Sequence, residues 1–167
     1  KGEMKILIIL FLTFVCVSNL YPYDYKYIND NEVEENLRFI KLRRSLLEKN
    51  NKIKPMDAKF AICEYYFKHN DLTDANKGFN SFVLEYPPNL TTLLANICLY
   101  KIFNLKQNSE EASIIKKEIF KKSFILLFAD YEVLKYTSSF GNEYEVHYYI
   151  DKIKVFLNGE LFEEVST

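Results

Sequence analysis

The sequence predicts a mainly α protein of antiparallel helical hairpins, ending in a small antiparallel β-hairpin or three-stranded sheet. Three observations predict it. Glycine and proline number only four each in 167 residues, while 49% of the chain is hydrophobic, a balance that favours long helices over a disordered chain. Between Pro55 and Pro87 two amphipathic helical patterns of similar length meet at the polar joint His69-Asn70-Asp71. Near the end, Asn158-Gly159 separates two strand-like runs, and both residues tolerate positive φ, as a tight hairpin turn requires.

Residues 1–18 read as an export signal. Met4 and Lys5 precede the apolar run ILIILFLTFVCV, too short for a membrane span, and cleavage after Ser18 would start the mature chain at Asn19. The alternative is membrane attachment, through an uncleaved signal or a lipidated Cys16. Lys1 to Glu3 precede the expected initiator. Residues 19–31, with four tyrosines and Pro22, read as a linker lying against the helical body.

The helical domain is expected over residues 32–137. Asn31 is placed to cap a helix whose first turn holds Glu32, Glu34 and Glu35, acids that suit the positive end of the helix dipole. Val33, Leu37, Ile40 and Leu47 form its apolar face, with Phe39 and Leu46 beside them. The KLRR run at 41–44 reads as a solvated face. Lys54-Pro55 ends the following break, because the residue before proline avoids the helical region.

In the hairpin, a helix from about Asp57 to His69 carries two apolar stripes, Ala58, Ile62 and Tyr65 on one, Phe60, Cys63 and Phe67 on the other. Two stripes require neighbours on both sides, so further helices are expected to stack here. The next helix, Thr73 to Glu85, is capped by Asp71 and keeps Leu72, Ala75, Phe79, Phe82 and Tyr86 on one side. After Pro87-Pro88, a helix starting at Asn89 or Thr91 runs to about Lys106. A long helix from Glu110 then carries its face through Phe124, Leu127, Tyr131 and Leu134, ending between Tyr131 and Ser138. Residues 138–167 form the β-rich end, with two or three strands between Glu143 and Val165; a sheet so small needs a packing partner.

The hairpin resembles a tetratricopeptide repeat. Cys63 stands at the small position of the first helix, Tyr66 at its tyrosine, Ala75 at the alanine of the second helix, Phe79 at the aromatic and Pro87 at the closing proline. Lys59 replaces the usual tryptophan and Phe82 a common alanine. The ending F-x-x-F-x-x-x-Y-P is similar to repeats of bacterial periplasmic and outer-membrane-associated proteins. Tyr100 follows Tyr66 by one period of about 34 residues. The resemblance implies a concave surface built from first helices that binds peptides or partner helices, with Lys59, Tyr66, Asn96 and Tyr100 on its inner positions and Tyr65 nearby.

The chemistry of an enzyme is not signalled. The chain shows no glycine-rich phosphate loop, paired-cysteine metal pattern, nucleophile elbow or HExxH helix. His69, Asp71 and Asp74 span a turn but suit caps and solvent better than a metal, and no cofactor or catalytic residue is expected. A net charge of −1 gives no footprint for nucleic acid. Cys63 and Cys98 read as packed thiols or, in an oxidising compartment, as a disulfide. The expected function is a non-catalytic protein–protein interaction scaffold, exported to the periplasm or a membrane-associated cell envelope, with a protein or peptide partner. The alternatives are a structural subunit that self-associates or completes a complex through its C-terminal strands, and a small-ligand carrier or enzyme with a pocket between helices and strands.

Overall fold

The computed structural model describes residues 30–48, 54–127 and 133–167, with side chains from 32–48, 54–121 and 133–167. The signal segment, linker residues 19–29, the 49–53 break and Tyr131 lie outside the described residues, and the last two linker residues, 30 and 31, open the first helix. Five helices, α1 (Asp30–Leu47), α2 (Pro55–Lys68), α3 (Leu72–Glu85), α4 (Leu90–Leu105) and α5 (Ser109–Leu127), precede four strands, β1 (Val133–Thr137), β2 (Glu143–Tyr148), β3 (Lys152–Leu157) and β4 (Glu160–Ser166). The chain divides into two units after Glu34, inside α1; the packing described below is that of the larger, Glu35–Thr167.

The helices form because their ends are locally specified. Pro55 opens α2 behind an extended Lys54, Asp71 caps α3 by accepting from the Asp74 amide, and Asn89 forms a reciprocal capping box with Thr92 at the start of α4. Asn31 is already inside α1, so it does not cap that helix. From α2 to α5 each helix packs chiefly on the next. The joints α2–α3 and α4–α5 are built alike. Asn70 and Gln107 take left-handed φ values of 59° and 56°, and the amides of Asp71 and Asn108 close onto the carbonyls of Tyr66 and Phe103 at 2.9 Å each. Asn108 then caps α5 through the Glu111 amide, as Asp71 caps α3. The offset between equivalent joint residues is thus that from Asn70 to Gln107, three longer than the Tyr66–Tyr100 spacing, and the counterpart of Tyr66 is Phe103.

The strands form one antiparallel sheet in the order β1-β2-β3-β4. It has four strands rather than two or three, and β1 lies where the long helix was expected to continue. Leu134 pairs with Val146 across the sheet and is not on a helical face. The Asn158-Gly159 turn is present, with φ values of 51° and 84°. Tyr144, Val146, Ile153, Val155 and Val165 are buried in the main core with Phe60, Phe79, Phe82 and the interior of α4. The opposite sheet face carries a ladder of ion pairs, Lys135 with Glu145, and Lys152 and Lys154 with Glu164.

α1 turns an unexpected face inward. Leu42 packs with Ala58 and Ala61, joined by Leu46, Ile62 and Phe140, and the Phe39 ring stacks on Tyr65 at 4.0 Å. Leu37, Ile40 and Leu47, the expected core face, are 51%, 58% and 86% exposed.

Candidate functional site

In a stack of hairpins the first helices are α2 and α4, and their shared face was the expected binding surface. The sheet lies across that face. Phe60 of α2 meets Tyr136 and Tyr144 edge-on at 5.5 and 6.0 Å, and Phe67 meets Phe162 at 6.0 Å. From α4, the Lys101 ammonium donates to the Phe162 carbonyl, lies 4.3 Å from the Phe162 ring centre and pairs with Glu163 at 3.3 Å.

At the centre of this junction sits Glu64, 6% exposed. Its Oε1 accepts from the Tyr144 hydroxyl at 2.6 Å and the Asn142 amide at 2.8 Å, while Oε2 is buried with no hydrogen-bond donor in reach among the described residues. Burial raises the Glu64 carboxyl above the usual carboxylate range, against the pull of the Tyr144 hydrogen bond. Tyr144 is itself pushed well up by burial and by the neighbouring acid. Sequence reasoning missed Glu64; the one local signal was an acid in the middle of a helix apolar on two sides, away from the first turn that Asp57 occupies.

The five expected binding residues do not share a surface. Asn96, 1% exposed, is buried inside α4 and its amide donates to the Thr92 carbonyl at 2.7 Å, so it faces no groove. Tyr65 is held by α1, its ring stacked on Phe39 and its hydroxyl donating to Asn36. Tyr66 is half-buried against the core and meets Phe39 edge-on at 5.4 Å; Tyr100 also packs on the core. Lys59 points to the other side of α2, where its ammonium donates to Glu85 Oε1 at 2.6 Å and lies 5.6 Å from the Tyr86 ring centre. The Glu85 hydrogen bond raises the Lys59 ammonium above its ordinary value.

Lys59 instead lines a cleft of about 180 Å³ with Leu46 of α1, Ile62 and Cys63 of α2, and Gly78, Ser81 and Phe82 of α3. Gly78 is required for the close α2–α3 approach that forms its floor, since a Cβ there would stand 2.6 Å from Cys63 Sγ. The lining is mostly apolar with one cation, an arrangement that accepts an aliphatic or aromatic side chain flanked by polar contacts. A second concavity, about 550 Å³, borders Tyr148, Tyr149, Ile150 and Asp151 at the β2–β3 turn.

Cys63 and Cys98 are buried free thiols, and burial pushes Cys63 up to about 12. Asp71 is a cap and Asp74 pairs with Lys77 at 3.7 Å, so neither joins His69 at a metal; among the described residues no group of three or more metal-ligating side chains is assembled. His147 lies on the outer sheet face, 3.3 Å from Glu145 and against the Phe156 ring.

The geometry defines a helical, repeat-like architecture of consecutively packed hairpins closed by a four-stranded sheet. No protein-family model, curated protein or solved structure matches the chain.

Proposed function

We propose that this chain is a non-catalytic protein-interaction scaffold of the tetratricopeptide-like type, exported to the cell envelope, and that its partner docks in the α1–α2–α3 cleft. Export is supported by the pattern of residues 4–18 in the sequence. The docking position is supported by one observation above others: the first-helix face is spent on the chain's own sheet, whereas the cleft beside Lys59 remains open. An apolar anchor side chain fits a pocket of this size better than a polar metabolite would.

The test is site-specific photo-cross-linking in the native envelope. A photo-reactive residue at Ser81, which is exposed in the cleft, should capture one reproducible partner, and Lys59→Glu should reduce its yield by at least about fivefold, a loss of one anchor contact. The same probe at Lys154 on the outer sheet face should not capture it. Equal capture at both positions, or none at Ser81, overturns the reading.

A second reading is favoured by β4, which among the described residues pairs only with β3 and exposes Leu161. An edge strand of this kind can receive a strand from another chain, although Glu160, Glu163 and Glu164 along it oppose an acidic one.

A further inference from the structure

Among the described residues, the outer stripe of α1 belongs neither to the buried core nor to the lining of the cleft. Val33, Leu37, Ile40, Arg44 and Leu47 recur at alternating steps of four and three residues, the spacing of one seam in a two-helix coil. Leu37, Ile40 and Leu47 are exposed, while α1 is fastened to the body by its other side through Phe39, Leu42 and the Glu35–Lys68 ion pair at 2.7 Å. An apolar seam on a helix already anchored from behind is a surface for another helix.

The charge pattern says which helix. Residues 30–35 hold four acids and no base, and residues 38–44 hold four bases and no acid, of which Glu35 is already paired with Lys68, Arg44 with Glu48 and Arg38 with the Phe140 carbonyl. A partner helix that fits this field is basic beside the N-terminal turns and acidic beside the C-terminal ones. Another copy of α1 laid antiparallel meets that description, and one laid parallel does not. In the antiparallel arrangement Leu37 stacks on Ile40 of the second copy, and Val33 lies against the aliphatic stem of its Arg44. Glu34 then flanks Lys41 of the second copy, twice by symmetry. Parallel pairing would instead set Arg44 on Arg44.

We infer that the chain forms a two-fold dimer through antiparallel pairing of α1 along Leu37, Ile40 and Leu47. The inference is independent of the cleft reading, because the seam and the cleft use different sides of α1. Each dimer would carry two clefts, which converts a weak single-site partner into an avid bivalent one.

The test is sedimentation of the 167-residue chain in a mild non-ionic detergent that keeps the apolar run of residues 6–17 dispersed, at about 0.1 mM and below. A dimer is expected, and Ile40→Glu should give a monomer with an unchanged far-ultraviolet spectrum, since position 40 is outside the core. Lys41→Glu should weaken the dimer about tenfold, and adding Glu34→Lys in the same chain should restore it, because only antiparallel pairing sets these positions opposite each other. A monomer at the highest concentration, a dimer indifferent to Ile40→Glu, or no rescue by the double reversal overturns the proposal. The charge-reversal pair keeps the test decisive if Ile40→Glu misfolds.

Discussion

Glu64 buries a carboxyl group at the junction of helices and sheet, with Tyr144 and Asn142 both donating to the same oxygen. Because burial raises its folded-state proton affinity above that of the unfolded chain, the folded state binds more protons. Its contribution to stability is therefore fully present below the ordinary carboxylate pKa and lost as pH rises through the folded value. Glu64→Gln should remove that dependence. We expect the variant to be the more stable protein at about pH 8, by about 1–3 kcal/mol, and to lose its advantage near pH 4.5, as measured by denaturant unfolding across that range. Tyr144→Phe removes the 2.6 Å donor and should cost about 1–3 kcal/mol, the cost of leaving a buried acceptor without it. Neither role was legible in the sequence, since Asn142 and Tyr144 lie some eighty residues from Glu64 and nothing local joins them. Asn96 was misplaced for a related reason: the repeat resemblance sets it on a helix face, but α4 is buried on nearly every side.

At the level of elements, what could be read was what is written locally. Asp71, Pro55, Asn89 and the Asn158-Gly159 turn each act on residues within a few positions, and the hairpin boundaries follow from them. β1 was not readable in the same way. Leu134 falls at helical spacing from Tyr131 and also alternates with Tyr136, so two periods fit and only pairing with β2 decides between them. α1 misled by having apolar residues on two faces, of which the sequence does not say which is anchored. The local devices carry measurable weight. Asn89→Ala opens the capping box and should lower stability by about 0.5–2 kcal/mol in urea unfolding, with Asn89→Gly costing less. Gly78→Ala gains helix propensity but drives a methyl group into Cys63 Sγ, and in a packed interior the clash should win by about 1–2 kcal/mol. Cys63→Ala in the same chain should recover most of that loss, a coupling that the sum of the single variants would not give.

For the molecule as a whole, the sheet is the partner of the first-helix face, and this relation decides where binding is available. The fold class was legible because composition, periodicity and one turn dipeptide all pointed to it. The docking of strands on α2 and α4 was not, because it depends on Phe60, Phe67 and Lys101 meeting Tyr144 and Phe162 across long sequence separations. Those contacts place α4, β2 and β3 in one core, so their amides should exchange only through a shared global opening. Native-state hydrogen exchange is expected to give the same opening free energy for the interior of α4 and for Val146 and Val155, and Tyr144→Phe should lower all of them equally. If the strands instead exchange much faster than α4, the sheet opens alone and uncovers the α2–α4 face. The same experiment would then identify an occluded groove that a partner can enter by displacing β1–β4, and the cleft beside Lys59 would lose its claim as the available site.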